Sequence, residues 1–174
     1  SIVESCDTYY YTLARDMGVD LMHDQMKPLG FGQITGIDIL GESRGVLPST
    51  EWKRTTYKKP EQQRWYSGET ISLGIGQGYN SFTMLQIAHA MGTVANNGLK
   101  MKPHLVREVL DVETKASTPV ANEPVGQLPL LPENLEIIKK GMIGVNIEGT
   151  SATSFIGAPY VSAGKTGTAQ VFTV

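Results

Sequence analysis

The 174-residue sequence predicts an α+β fold in which helices outnumber strands. Apolar residues recur at helical spacing in three stretches, within 9–17, 84–95 and 135–145. Residues that favour an extended chain are concentrated in two other stretches, 103–112 and 161–172. Turn residues follow the first of these two stretches, so we expect it to return as a hairpin.

Start and stop signals delimit the first two predicted helices. Asp7 can cap the first helix, and Gly18 can end it. A second short helix is expected within 19–32, with a break near Pro28.

The other two predicted helices have clear starts and an apolar face. Thr83 and Gln86 form a capping box for the third helix, and Pro132 and Gly149 open and stop the last one. We expect the apolar face of the third helix to point inward, namely Met84, Ile87, Ala88, Met91, Val94 and Ala95. The inward residues expected in the last helix are Leu135, Ile138, Met142 and Val145.

Two stretches between the helices are predicted to be irregular, because turn residues fill 33–68 and 119–129. The first contains a basic and aromatic cluster made up of Lys53, Arg54, Lys58, Lys59 and Arg64 with Trp52, Tyr57 and Trp65. We expect a solvated loop here, and the alternative is a surface for an acidic polymer or a protein partner.

Composition and charge limit the classes of protein to which this chain can belong. Apolar residues make up 40% of the chain and the net charge is −2, which is ordinary for a soluble domain and gives no hint of nucleic acid. No run of eighteen apolar residues is present, so no membrane span is predicted. The single cysteine, Cys6, excludes an internal disulfide.

The most informative stretch surrounds Lys165. Gly164 and Gly167 allow a ligand to lie against the backbone, Lys165 offers a positive charge, and Thr166 and Thr168 offer hydroxyls. These groups are suited to holding a small carboxylate beside an edge strand.

Two other interpretations of this stretch are unfavourable. A nucleotide-binding P-loop also ends in Gly-Lys-Thr, but it requires glycine at position 159, where this sequence has proline. A serine nucleophile with a lysine base three residues later would use Ser162 and Lys165. That pair needs one helical turn, whereas a β-like stretch points the two side chains to opposite faces.

A second polar group, Ser5-Cys6-Asp7, stands just before the first predicted helix. Ser5 and Asp7 would be presented there rather than buried, and the alternative is that they only cap the helix. Cys6 is expected to be buried and inert. The alternative is that Cys6 binds a structural Zn²⁺ whose other ligands lie upstream of Ser1. The histidines of this chain have no ligand spacing with Cys6.

Several phrases, in this order and at this separation, resemble the class B penicillin-binding proteins. The phrases are 5–7, 74–78, 83–88, 95–98, 103–106, 141–142, 149–150 and 163–170. Asp7 is typical of the elongation type, the penicillin-binding protein 2 group, because division-type relatives usually carry asparagine there. The family signature combines S-x-x-K, S-D-N and K-T-G motifs.

The resemblance covers essentially the whole chain and implies that residues 1–174 are a partial transpeptidase domain, truncated at both ends. It implies the penicillin-recognising fold shared with β-lactamases, an antiparallel sheet with helices on both sides. This chain would supply mostly the helical lobe and the Lys165-Thr166-Gly167 strand. It also implies a peptidoglycan D,D-transpeptidase of cell-wall elongation, a serine acyl-transferase that β-lactams trap. The family's Ser-x-x-Lys motif would lie upstream of Ser1, so the isolated chain is expected to be inactive.

The same resemblance implies roles for the site residues. Ser5 would hydrogen-bond the upstream lysine base and relay a proton to the leaving group, and Asp7 would orient the base or the substrate amide. Lys165 would attract the terminal carboxylate of the substrate, and the hydroxyls of Thr166 and Thr168 would hold it. The N–H of Thr168 would complete an oxyanion hole.

The expected partners are peptidoglycan stem peptides ending in D-Ala-D-Ala, β-lactam antibiotics and, through the parent chain, membrane proteins of the elongation complex. No cofactor is expected for the chemistry, and no nucleic acid is expected. The expected location is the periplasmic domain of a parent protein anchored in the inner membrane. The alternatives are a non-catalytic β-lactam sensor or binding module, a β-lactamase and a nucleotide-binding protein.

Overall fold

The computed structural model describes residues 1–170. These residues form two compact units, of which the first combines 1–25, 47–80 and 131–170. The second combines 26–46 and 81–130. Among the described residues, none of the helices has the length and apolar content needed to cross a membrane.

Seven α-helices are formed within residues 1–170. They are α1 (Asp7–Met17), α2 (Val19–Met26), α3 (Thr50–Thr56), α4 (Pro60–Gln63), α5 (Ser67–Leu73), α6 (Met84–Ala95) and α7 (Pro132–Ile147). Short 3-10 helices, Lys27–Leu29 and Ala152–Phe155, follow α2 and α7. The helices predicted at the three periodic stretches are therefore confirmed. The predicted break near Pro28 is also confirmed, because Pro28 lies in the 3-10 turn that ends α2.

The strands are short and lie in the second unit. They are β1 (Leu99–Met101), β2 (Glu108–Leu110), β3 (Ser117–Pro119) and β4 (Pro124–Gln127). β1 pairs with β4 and β2 pairs with β3, both antiparallel. The predicted hairpin is confirmed, and its turn is closed by the Asp111 carboxylate, which accepts the N–H groups of Glu113 and Thr114 at 3.0 and 2.7 Å. The prediction of an irregular 119–129 is wrong in part, because pairing with β1 makes a strand of Pro124–Gln127, whereas 120–123 and 128–129 are irregular.

The prediction of an irregular 33–68 is also wrong in part, because α3, α4 and the start of α5 lie within it. The start of α3 is fixed by two side chains, one next to the helix and one distant in the sequence. Ser49 caps α3 by accepting the N–H of Trp52 at 3.0 Å, and the Asp20 carboxylate accepts the N–H of Thr50 at 2.8 Å. Helices of four to seven residues are too short to show a clear apolar period, so the sequence pattern does not reveal them.

The basic and aromatic cluster is only partly solvated. Lys53 is buried, whereas the other four cations of the cluster are exposed. The Lys53 ammonium pairs with the Glu69 carboxylate and lies 5.3 to 5.5 Å from the ring centres of Trp65, Tyr66 and Tyr79. The prediction of a solvated loop is therefore wrong for Lys53, which joins α3 to α5.

Helix α6 forms where it is predicted, but it buries the opposite face from the one predicted. The predicted capping box of Thr83 and Gln86 is confirmed. The buried residues, however, are Gln86, Ala90 and Thr93, while Met84 of the predicted inward face is 78% exposed. Gln86 explains the inversion, because its amide donates to the main-chain carbonyls of Gln33 and Arg44 at 2.6 and 2.7 Å. A buried amide that is fully hydrogen-bonded anchors this helix.

A polar junction joins three separate segments of the second unit. The Asp38 carboxylate accepts the N–H groups of Leu105 and Val106 at 2.7 and 2.9 Å, and these bonds hold the pKa of Asp38 below its usual value. Both ring nitrogens of His104 face oxygens, Nε2 the side-chain carbonyl of Asn122 at 2.6 Å and Nδ1 the carbonyl of Val106 at 2.8 Å. These two acceptors, first Asn122 and then Val106, raise the pKa of His104, because only the doubly protonated ring donates to both.

We expect His104 to titrate above about pH 6.5, the ordinary value for histidine. The folded form binds the proton more tightly than the unfolded form. The stabilising contribution is therefore complete below about pH 6.5 and is lost as the pH rises through the folded pKa. An NMR titration of the His104 ring, compared with the same ring in urea, measures the difference. Asn122→Ala should lower the folded pKa, and identical values in wild type and variant would contradict this account.

Candidate active site

Ser5 lies in a tight turn just before α1. Its N–H donates to the carbonyl of Ile2 at 3.2 Å, and the N–H of Cys6 donates to the carbonyl of Ser1 at 3.0 Å. Ser5 has φ +49°, in the left-handed region that non-glycine residues adopt at a cost. Such a conformation is found where surrounding contacts fix a functional side chain.

The structure brings Ser5 and Lys165 together across 160 residues of sequence. The Lys165 ammonium donates to the Ser5 hydroxyl at 2.7 Å and to the carbonyl of Thr166 at 2.9 Å. Ser5 is half-buried and Lys165 is exposed, so the pair faces solvent at the surface of the first unit. A serine hydroxyl held by an ammonium can accept a proton on one side and donate one on the other.

Three further contacts hold the chain that follows Lys165. The hydroxyl of Thr166 lies 2.8 Å from the hydroxyl of Thr150. The carbonyl of Thr168 accepts from the side-chain amide of Gln77 at 3.3 Å, and the N–H of Gly78 donates to the side chain of Gln170 at 3.1 Å. Sequence reasoning did not assign Thr150 or Gln77 to the site, although both lie in phrases that carry the family resemblance.

The backbone of 161–170 forms neither a strand nor a helix. The expected strand is therefore absent from these residues, because a strand needs a partner and no described segment pairs with them; Val171 and Phe172 lie outside the described residues. The absence of a helical turn also removes the interpretation of Ser162 and Lys165 as nucleophile and base. The Ser162 hydroxyl instead accepts from the side chain of Asn146 at 2.9 Å.

A Cβ atom added at Gly167 would meet no atom of residues 1–170 within 4 Å. This described part of the chain therefore does not itself require glycine at position 167. The side chains of Thr166 and Thr168 are exposed on either side. The side chains beside Lys165 are thus exposed, and the binding of a carboxylate there stays a prediction.

Asp7 does not join the Ser5 and Lys165 pair. It is the first residue of α1, and Cys6 occupies the N-cap position without a side-chain bond, so the prediction that Asp7 caps the helix is wrong. The exposed Asp7 carboxylate makes no side-chain hydrogen bond within residues 1–170. Its negative charge in the first turn is favourable toward the helix dipole.

Cys6 is exposed, so the prediction that this thiol is buried is wrong. It stands at the N-cap of α1, before the helix begins, and its side chain makes no capping bond there. No three His, Cys, Asp or Glu residues in the described part of the chain are grouped to hold a metal ion. The Zn²⁺ ligand role of Cys6 therefore stays a prediction that depends on donors outside residues 1–170.

Comparison with known proteins matches this arrangement to one family. The model of the penicillin-binding protein transpeptidase domain matches residues 1–174. The peptidoglycan D,D-transpeptidase MrdA of Escherichia coli K12 is 40% identical over 175 residues, which cover 99% of this chain and 27% of that protein.

Solved structures show the same likeness. Penicillin-binding protein 2 of Pseudomonas aeruginosa, solved in complex with WCK 5153, superposes with a TM-score of 0.79 at 39% identity, over 95% of this chain and 36% of that one. Penicillin-binding protein 2 of Helicobacter pylori, in its complex with MreC, gives 0.77 at 30% identity, over 98% and 30%. This chain spans about a quarter to a third of the length of the relatives it matches. It belongs to the penicillin-binding protein transpeptidase domain family.

Proposed function

We propose that this chain is part of a peptidoglycan D,D-transpeptidase of cell-wall elongation that works through a serine acyl-enzyme. The single observation that carries the proposal is the 2.7 Å bond between the Lys165 ammonium and the Ser5 hydroxyl. These two residues come from the two separate motifs, Ser5-Cys6-Asp7 and Lys165-Thr166-Gly167, that the family combines in one site. Relatives named as D,D-transpeptidases at 40% identity support it.

In this proposal the nucleophilic serine and its lysine base come from a Ser-x-x-Lys helix outside this chain. Attack on the penultimate carbonyl of the stem peptide forms an acyl-enzyme and releases D-alanine. The Ser5 hydroxyl lies between the base and the leaving amine and passes the proton to it. Lys165 orients that hydroxyl and prevents it from taking a second proton, because a nearby ammonium disfavours added positive charge.

The residues after Lys165 bind the substrate in this proposal. The hydroxyls of Thr166 and Thr168 hold the terminal carboxylate, whose negative charge Lys165 attracts. The N–H of Thr168 stabilises the oxyanion together with the N–H of the nucleophile. Gly167 leaves the backbone open to the ligand. Asp7, at the exposed start of α1, acts on the base or on the substrate amide when these are present.

The partners and location follow from the same proposal. β-Lactams would acylate the same serine, and a membrane protein of the elongation complex would bind the parent chain, as MreC binds the Helicobacter pylori relative. The chain would lie in the periplasm as part of a protein anchored in the inner membrane. The exposed Cys6 thiol is accessible as one ligand of a structural Zn²⁺ completed by residues outside this chain.

The test is acylation of the parent protein by a labelled penicillin, followed by mass spectrometry of its peptides. We expect one penicilloyl adduct, on a serine outside residues 1–174, and transfer of a stem peptide to an acceptor amine in the absence of the drug. An adduct on Ser5 or Ser162 would overturn the assignment of the nucleophile. An adduct without peptide transfer would instead indicate a β-lactam sensor.

A further inference from the structure

Helix α7 supports both segments that meet in the proposed site. The segment before Ser5 lies on a glycine face of this helix. A Cβ atom added at Gly144 would lie 2.9 Å from Cγ2 of Val3, and one added at Gly141 would lie 3.3 Å from Cβ of Ile2. Residues 2 and 3 therefore pack directly against the α7 backbone, which leaves little freedom for the turn that carries Ser5.

The segment before Lys165 is held by the last turns of the same helix. The N–H of Gly164 donates to the carbonyl of Met142 at 3.0 Å. The side chain of Asn146 donates to the hydroxyl of Ser162 at 2.9 Å. A Cβ atom added at Gly164 would lie only 3.3 Å from Oδ1 of Asn146, so this glycine packs closely on the asparagine amide.

Asn146 is buried, with 7% exposure, and both ends of its amide are bonded. Its Oδ1 accepts from the hydroxyl of Ser151 at 2.8 Å, and its Nδ2 serves Ser162. Asparagine is a poor helix former, and a buried amide is costly without partners. Neither of its bonds helps to build α7 itself. Both tie α7 to the chain that follows it.

We propose that Asn146 is a positioning residue that sets the contact between Lys165 and Ser5. Lys165 follows Gly164 directly, so any shift of 162–164 away from α7 is passed to the lysine backbone. A shift of about 1 Å is enough to break a 2.7 Å hydrogen bond. This inference rests on the proposed function only for its rate measurement, because the contact itself can be observed without acylation.

The experiment compares variants of the parent protein in the rate of acylation by a labelled penicillin. Asn146→Ala and Ser162→Ala remove the same hydrogen bond from its two ends, and each should slow acylation about 5- to 30-fold. The double variant should be no slower than Asn146→Ala, because Ser162→Ala removes only a hydrogen bond that Asn146→Ala has already removed. Asn134→Ala is the matched control, since Asn134 is an exposed asparagine of the same helix, and it should acylate at the wild-type rate.

A second double-mutant cycle, between Asn146 and Lys165, distinguishes positioning of Lys165 by Asn146 from a general loss of protein stability. In a Lys165→Ala background, Asn146→Ala should slow acylation less than about twofold, because the group that Asn146 positions is gone. A purely structural role would give the same fold-loss in both backgrounds and would overturn the proposal. If Asn146→Ala fails to fold, Ser162→Ala carries the same test from the half-buried end of the bond.

An NMR measurement distinguishes failure of this inference from failure of the proposed function. The ¹⁵Nζ signal of Lys165 in the parent should move in Asn146→Ala and Ser162→Ala, and it should not move in Asn134→Ala. A wild-type parent that penicillin does not acylate would contradict the proposed function, while this signal would still test the inference. An unmoved signal in Asn146→Ala and Ser162→Ala would overturn the positioning role whatever the rates.

Discussion

Lys165→Ala in the parent protein is expected to slow acylation by penicillin about 30- to 1000-fold, the loss typical when one charged hydrogen-bond donor is removed from such a site. The substitution removes the donor to the Ser5 hydroxyl and the positive charge beside the expected carboxylate. The measurement is the second-order acylation constant with one penicillin. Wild-type rates in Lys165→Ala would mean that Lys165 is an ordinary surface lysine.

Lys165→Arg separates the charge from the shape of the donor. Arginine keeps the positive charge but replaces a compact ammonium with a wide planar fork. In the structure one ammonium serves both the Ser5 hydroxyl and the carbonyl of Thr166, at 2.7 and 2.9 Å. We therefore expect Lys165→Arg also to be slow, though less so than Lys165→Ala. Lys58→Ala, at an exposed lysine of the same unit, is the control and should be unchanged.

Helices α1, α2, α6 and α7 could be predicted because their signals are local, and α6 also shows what local signals do not determine. Its length and its capping box follow from spacing within thirteen residues. Its buried face does not, because the atoms that select it are the carbonyls of Gln33 and Arg44, 53 and 42 residues away in the sequence. An apolar stripe predicts a helix more securely than it predicts which side of that helix is covered.

In the candidate active site, too, local motifs could be predicted and long-range contacts could not. Ser5 and Lys165 could be singled out because each stands in a short motif with recognisable chemistry. The roles of Asn146 and Gln77 could not, because they depend on hydrogen bonds to atoms that no sequence motif identifies, the Ser162 hydroxyl and the Thr168 carbonyl. The strand expected at Lys165 could not be decided from β propensity either, since pairing depends on a partner segment.

Lys53 is a buried residue within a sequence cluster whose other four cations are exposed. Its substitution is expected to have a large effect on the stability of the fold. Its side chain is 4% exposed and pairs with Glu69, whose side chain is 22% exposed. Burial acts to raise the pKa of Glu69, but the bond from Lys53 and those from the N–H of Tyr66 and the hydroxyl of Tyr79 outweigh it, so the net pKa is lowered. Burial, and then the bond to Glu69, raises the pKa of Tyr79 well above its ordinary value.

We expect Lys53→Ala to lower the free energy of unfolding of the parent domain by about 3 to 5 kcal/mol, the usual cost when one partner of a buried ion pair is removed. It leaves the Glu69 carboxylate partly buried without its cation, and it also removes the ammonium from among three aromatic rings. Lys53→Met should cost about 2 kcal/mol less than Lys53→Ala, because methionine keeps an apolar side chain packed against those rings. Urea unfolding followed by tryptophan fluorescence measures both.

The neighbouring residue supplies the control. Arg54 pairs with Glu51 on the same helix, but both side chains are more than 60% exposed. Arg54→Ala should therefore change the free energy of unfolding by no more than about 0.5 kcal/mol. Because the pKa of Glu69 is lowered on folding, the contribution of the buried pair is complete above the unfolded pKa and is lost as the pH falls through the folded pKa. The difference between wild type and Lys53→Met should thus shrink in acid, and a difference that stays constant down to the lowest pH at which both proteins still fold would contradict an electrostatic role for Lys53.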